Sequence, residues 1–411
     1  MTSQIPTVRL GDPHIAEFIL GQSPPSSSYN ERGEGLPFFQ GKVDFGLIWP
    51  TPRVWCNDGQ QFARRLDVLV SVRAPVGDVN LADTDCVIGR GVTAIRAGAD
   101  SDPWFLFFAM QHVKPVLAQR ATGSTFGSVN KATLQDIQIP QFPLAEQRGI
   151  ARQLRHVLMS MLGEHAIVRT ADKLKRAAMC EMFTRGLRGE PQKETEIGGV
   201  PESWDVCRLG EICTLSTGTT PSTKREDYYR GTTPFIKTAE ITNNRLRAAT
   251  TFVSDEAVAD YNLTVYSPGT ILLAMYGQGK TRGQAALLEI AAATTQNAAA
   301  IEPSARVHAA FLWHYLMSIY ERLRGMGSLG HLSHLNLGYL RELSVPVPSP
   351  EEQREITAIL DAVDRKVDLH QKKRAVLDEL LRSLLHKLMT GEVRVADIDI
   401  SALPTSCEAR P

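Results

Sequence analysis

The chain has 411 residues, 43% hydrophobic and 22% charged, and its 45 Lys+Arg balance 45 Asp+Glu to a formal net charge of zero. This is the composition of an ordinary globular protein with room for roughly two to four domains. It excludes a uniformly basic nucleic-acid coat, while local basic surfaces remain compatible with a zero sum.

No window approaches the length of a membrane span; the richest patch, "WFLFFAM" at 104–110, is far too short. The start "MTSQIPTVRLGDP" lacks a basic region followed by an apolar one, so no signal peptide is expected. Cysteines stand at 56, 86, 180, 207, 213 and 407 without a C-x-x-C pair or a Cys/His ligand spacing. Neither a zinc site nor a disulfide framework is expected, and a reducing cytoplasm fits.

In chain order, the first half opens with "RLGDPHIAEFILGQSPPS", continues through "GLPFFQ" at 35–40 and "DVLVSVRAPVGD" at 67–78, and enters a helix at "DPWFLFFAMQHV" from Asp102. The segment "LQDIQIPQFPLAEQRGIARQL" at 134–154 then leads into a long amphipathic stretch. The second half repeats this plan. "RLGEICTLSTGTTPS", "TTPFIK" at 232–237, "TILLAMYGQGKT" at 270–281 and "HAAFLWHYLMSI" from His308 fall in the same order. "LRELSVPVPSPEEQREITAIL" at 340–360 matches the 134–154 segment at a shift of 206 residues, read from Gln147 to Gln353. That register holds to Arg188 and Arg394 without an insertion.

After Ser349-Pro350-Glu351-Glu352, which reads as an N-cap, a first-turn proline and a capping-box glutamate, apolar residues recur at 356, 360, 363, 367, 377, 381, 384 and 388. His370 and Arg374 interrupt this heptad seam. The first copy gives Ile150, Leu154, Val157, Met161, Glu164, Val168, Ala171, Lys175, Ala178 and Met182, apolar except at Glu164 and Lys175. Two helices of roughly 40 residues, about 60 Å long, are expected to pack on each other.

"LLAMYGQGKTRGQ" at 272–284 fits a relaxed phosphate-binding loop, A-x-x-x-x-G-K-T from Ala274, with "QAALLEIAAA" as a possible following helix. Its counterpart in the first half, "SVRAPVGD", has no lysine in place, so a framework strand and turn is the better reading. Ser23-Pro24-Pro25-Ser26 begins like an amino-methyltransferase motif but lacks the aromatic ring, and reads as a turn. His112, His314, His331 and His334 show no defensible metal or triad spacing.

The ordered phrases "LGDPHIAEFILGQSPPSSSYNERGEGLPFFQGKVDFG", "SVRAPVGD", "IPQFPLAEQRGI", "IGGVPESWDVCRLGEI", "VPVPSPEEQREITAILDAVD" and "LLHKLMTGEVRV" resemble the specificity subunit of type I restriction–modification enzymes. The resemblance implies an α/β (α+β) fold with two target recognition domains alternating with two long helices. These helices would form an antiparallel coiled coil in a pseudo-twofold tandem repeat. The expected divisions are a first recognition domain at 1–142, a first spacer helix and linker at 143–195, a second recognition domain at 196–346, a second spacer helix at 347–395 and a tail at 396–411.

The resemblance further implies a non-catalytic chain that reads a bipartite site on double-stranded DNA. It would dock two modification subunits carrying S-adenosylmethionine chemistry, and restriction subunits that use ATP and Mg. No cofactor, metal or catalytic residue is expected in this chain itself. A coiled-coil scaffold without base reading, or the specificity chain of a methylation-only system, are the alternatives. Polar loop residues suited to bases and phosphates are Ser23, Tyr29, Gln40, Lys42 and Arg73 in the first domain. In the second they are Thr219, Lys224, Lys237, Gln278, Lys280 and Arg282.

Overall fold

A computed structural model describes residues 5–122, 127–277, 280–326 and 335–398. The chain divides into two compact units, Met1–Ala166 with His370–Pro411, and Ile167–Leu369. Each takes the opening part of one long helix and the closing part of the other.

In the first unit the main sheet has four antiparallel strands in the order Ala16–Leu20, Val92–Ala97, Val68–Ser71, Val79–Leu81. The central "VLVS" strand is buried along its whole length because both of its faces are covered, which is why it shows no polar alternation. Beneath it packs the helix Pro103–Thr122, whose residues Phe105 to Met110 are all buried. A second, five-stranded sheet contains a parallel pair, Leu36–Phe39 beside Cys86–Ile88.

The second unit repeats this frame. Cys213–Thr217, Ala298–Pro303, Ile271–Ala274 and Ala285–Leu288 stand in the corresponding order, with Arg245–Leu246 added at the edge. Registers match residue for residue. Leu20 pairs with Thr93 as Thr217 pairs with Ala299, and Phe38 lies beside Val87 as Phe235 lies beside Ala293.

Ile271–Ala274 runs antiparallel to Ala285–Leu288, with Ile271 opposite Leu287. The segment "QAALLEIAAA" therefore supplies a buried strand and not a helix. A phosphate-binding loop needs a helix N-terminus after it; here Lys280 and Thr281 precede the strand Ala285–Leu288 instead.

The long helices are Leu144–Arg185 and Pro350–Thr390, 42 and 41 residues, each about 60 Å at 1.5 Å per residue. Their direction is read in the second unit. In the first, Glu164 meets His370 and His165 meets Arg374; in the second, Lys175 meets Asp364 at 2.5 Å and Arg188 meets Glu355 at 2.8 Å. In the second unit one number rises as the other falls, so the pairing there is antiparallel. The seam is apolar and buried at Ile150, Leu154, Val157, Leu377, Leu381 and Leu388 in one core, and at Ile356 and Leu360 in the other, where the first helix buries Met179 and Phe183 and leaves the expected Ala178 and Met182 only partly covered. Both polar interruptions of the first helix meet polar partners on the second, Glu164 the His370 imidazole and Lys175 the Asp364 carboxylate.

The capping box is only half formed. The Ser349 hydroxyl accepts from the Glu352 N–H at 3.3 Å. The Glu352 carboxylate does not return to Ser349; it accepts from the Leu187 N–H at 2.7 Å and the Trp204 indole N–H at 3.1 Å. Trp204 is fully buried, and a buried donor left unpaired costs more than one at a hydrated helix end.

The repeated glutamine of "EQR" also has a structural task in each unit. Gln147 accepts from the Asp102 N–H and donates to the carbonyls of Asp100 and Phe142. Gln353 accepts from the His308 N–H and donates to the carbonyls of Arg306 and Pro348. Each buried side chain ties the entry of the short helix to the entry of the long one.

Candidate nucleic-acid interface

At one end of each sheet, the chain leaves several strands within a few residues. In the first unit these exits are Gly21-Gln22-Ser23 after Ala16–Leu20, Gln40 after Leu36–Phe39, and Val72-Arg73 after Val68–Ser71. The turn Gly89-Arg90-Gly91, before Val92–Ala97, joins them. Backbone hydrogen bonds hold the exits together: Gln22 N–H to Ile88 O at 2.9 Å, Gly89 N–H to Phe39 O at 2.8 Å and Val72 N–H to Gly91 O at 2.9 Å. Gly21 has to be glycine, since a Cβ there would stand 2.1 Å from the Gly89 carbonyl oxygen.

The second unit presents the same array with other side chains: Gly218-Thr219-Thr220, Lys237, Met275-Tyr276 and the turn Thr295-Gln296-Asn297. Met275 N–H donates to Asn297 O at 3.0 Å, as Val72 does to Gly91. The Gln40 N–H is held by Asp44 at 2.9 Å, and the Lys237 N–H by Glu240 at 3.0 Å. The side chains of Gln40, Arg73, Thr219 and Lys237 are exposed.

Of the residues selected from sequence, Ser23, Gln40, Arg73, Thr219 and Lys237 thus converge on equivalent strand exits. Lys42 lies nearby in sequence, but its ammonium pairs with Asp78 at 2.9 Å, and Lys114 shares that carboxylate at 2.6 Å. Lys224 is exposed in the segment before the short helix Glu226–Tyr229. Lys280 is exposed on the hairpin connection, where its carbonyl accepts from the Tyr320 hydroxyl at 2.6 Å. Arg282 is half-buried and donates to the Arg324 carbonyl at 2.9 Å, which anchors the connection on a neighbouring helix. Gln278 lies outside the described residues, as do His331 and His334.

Tyr29 has an internal position. Its hydroxyl donates to the Pro24 carbonyl at 2.8 Å and its ring packs 4.8 Å from Phe38. Burial raises this hydroxyl above the ordinary tyrosine range, Cys56 adds to the effect and Arg90 opposes it. Tyr229 does the same in the second unit, donating to the Pro221 carbonyl at 2.7 Å with its ring against Phe235 at 6.3 Å. A contact repeated in both units is framework, and it places the tyrosine as a strut beneath the exits. Sequence reading passed over Arg90, Tyr276 and Gln296.

One other cluster could suggest metal chemistry. His314, Asp361 and Asp364 bring ligand atoms within 4.8 Å of one another. Their charges are already answered, because Arg245 lies 2.6 Å from Asp361 and Lys175 lies 2.5 Å from Asp364. Both cations also sit over the Trp313 ring, at 4.9 and 5.4 Å. Burial lowers the His314 imidazole below its usual range while the Asp361 hydrogen bond opposes that. The group is an ion-pair network between helix and sheet. Among the described residues no helix is long and apolar enough to cross a membrane.

The type I restriction modification DNA specificity domain family model matches residues 55–160 and 201–379. A Methanocaldococcus jannaschii protein described, provisionally, as the MjaX specificity subunit of a type I restriction enzyme is 43% identical over 151 residues, 36% of each chain. The match thus spans little more than a third of that relative. The MjaVIII specificity subunit of the same organism is 24% identical over 316 residues, 72% of each chain. The EcoBI specificity subunit of Escherichia coli is 22% identical, covering 94% of this chain and 86% of that one. Among solved structures, the S subunit of a type I restriction–modification system from M. genitalium aligns with a TM-score of 0.64 at 18% identity, over 93% of this chain and 96% of that one. The matched segments cover more than half of the sequence, one in each repeat, and the chain belongs to the type I restriction–modification DNA specificity family.

Proposed function

We propose that this chain is the sequence-reading subunit of a type I restriction–modification system and is not itself catalytic. Each unit reads one half of a bipartite, asymmetric site on double-stranded DNA. The paired long helices set the gap between the halves and dock two modification subunits. S-adenosylmethionine belongs to those subunits; ATP and Mg belong to restriction subunits where these are present. The observation that carries the reading is the strand-exit array, built on one backbone frame in both units and dressed with different polar side chains. Two modules of one design with different contact residues are suited to two different half-sites, as paired DNA-binding modules read separated half-sites at a fixed spacing.

The test is to express the chain with its modification partner in a methylation-free host and sequence the methylated sites. A split motif is expected. A contiguous motif, or none, would sink the reading and favour a scaffold without base contacts. In binding assays on that motif, Lys280→Ala is expected to weaken or relax recognition at one half-site only. Equal, sequence-blind weakening at both would reduce Lys280 to a phosphate contact.

A further inference from the structure

We propose that Arg90 and Gln296 are matched base-reading residues, Arg90 addressing a guanine in one half-site and Gln296 an adenine in the other. This inference rests on the DNA-reading role proposed above and assigns the side chains that give the two units different preferences.

The two residues occupy one position of one turn. Ladder registers fix the equivalence: Thr93 stands opposite Leu20 and Ala299 opposite Thr217, so Arg90 and Gln296 each lie three residues before the paired position. Both turns are closed in the same way, Val92 N–H to Gly89 O at 2.9 Å and Ala298 N–H to Thr295 O at 3.2 Å. Arg90 and Gln296 are therefore the second residue of equivalent four-residue turns, where the side chain projects from the tip. Both are exposed while their neighbours Gly89 and Thr295 are buried. The frame cannot retreat beneath them, because Gly21 and Gly218 already touch it so closely that a Cβ would stand 2.1 Å from Gly89 O and 1.9 Å from Thr294 O.

A hydroxyl sits under each tip. Ser23 Oγ accepts from the Arg90 N–H at 3.3 Å. Thr220 Oγ1 donates to Gln296 Oε1, which orients the carboxamide. The remaining Oε1 lone pair and the Nε2 hydrogens have no partner among the described residues and form an acceptor–donor pair on an exposed side chain. That pair matches the donor–acceptor edge of adenine at N6 and N7. The Arg90 guanidinium has no hydrogen-bonded or ion-paired partner among the described residues. It offers donors only, which suit the two acceptors of guanine, O6 and N7. The backbone frame is kept between the copies and the reading chemistry at its tip is changed.

The experiment compares methylated-site motifs for the wild type, Arg90→Ala, Arg90→Gln, Gln296→Ala and Gln296→Arg, each expressed with the modification partner. Thermal melting and co-purification with the partner verify that each variant is folded and assembled. Arg90→Ala is expected to relax one guanine position of one half-site, with preference there falling about tenfold or more, and to leave the other half-site unchanged. Gln296→Ala is expected to relax one adenine position of the other half-site. The exchanges Arg90→Gln and Gln296→Arg, which keep a polar side chain at the exposed tip, are expected to shift preference at the same positions. Two outcomes overturn the inference. One is an unaltered motif in folded, active variants. The other is uniform weakening of both half-sites with a shallower salt dependence, which would mark phosphate contacts. A wild-type chain that confers no split motif fails the proposed function before any variant is compared, so the two failures are separable.

Discussion

A seven-residue insertion after Thr170, matched by one after Val367, is expected to widen the gap between the two half-sites by about three base pairs. Seven helical residues add about 10.5 Å, and the DNA axis rises about 3.4 Å per base pair. Both points lie between the Glu164–His370 and Lys175–Asp364 pairs, so a matched insertion that keeps the heptad pattern leaves both pairs intact. The measurement is the methylated motif of cells expressing the lengthened chain with its partner. An unchanged gap in a folded variant would remove the spacer role. Insertion in the first helix alone is a useful contrast. It throws one set of pairs out of step, and an ion left buried without its partner costs about 3–5 kcal/mol. A strong loss of stability is expected there.

The second large effect is on stability. Gln353→Leu is expected to lower the unfolding free energy by about 3 kcal/mol or more, and Gln147→Leu by a similar amount. Each substitution strands one N–H and two carbonyls at a buried junction, and an unsatisfied buried group costs about 1–3 kcal/mol. Chemical denaturation of each variant measures this. Little change in either would mean that water satisfies the junction in place of the amide. Gln353→Glu separates the two halves of the contact: it keeps the acceptor for His308 and loses the donors to Arg306 and Pro348.

Much of the architecture was legible in the sequence because it repeats and because helices impose a period. The 206-residue shift located both long helices, and the seam residues Ile150, Leu154, Val157, Ile356, Leu360, Leu377, Leu381 and Leu388 are buried, while late in the first helix the deepest positions are Met179 and Phe183, one residue past the expected Ala178 and Met182. The interruptions were visible too, and His370, the partner of Glu164, is one of them; Asp364, the partner of Lys175, lies off the seam, so no period points to it. The hairpin was harder. "QAALLEIAAA" is rich in helix-forming residues, and only the flanking strands, buried on both faces, make it a strand. The capping-box glutamate was read from local spacing, which carries no information about a buried tryptophan 148 positions away.

At the candidate interface the sequence led to the strand exits through "GLPFFQ" and "TTPFIK". It did not lead to Arg90 or Gln296, because "GRG" and "TQN" share no residue at equivalent positions. Their equivalence lives in backbone hydrogen bonds. Tyr29 was selected for its chemistry, yet its tie to Pro24 recurs at Tyr229 three residues out of step with the surrounding repeat, so the alignment alone does not reveal it.

The division into two units constrains the order in which a ribosome can complete them. The inner unit is one uninterrupted stretch, Ile167–Leu369, and all of its parts exist once Leu369 has emerged. The unit that begins first still lacks its closing helix at that moment. Until Leu377, Leu381 and Leu388 are synthesised, the core that holds Ile150, Leu154 and Val157 lacks the helix that completes it. The first domain to be translated is therefore the last that can close, and the nascent chain carries an incomplete first core from Val157 to Leu377, more than two hundred residues of synthesis.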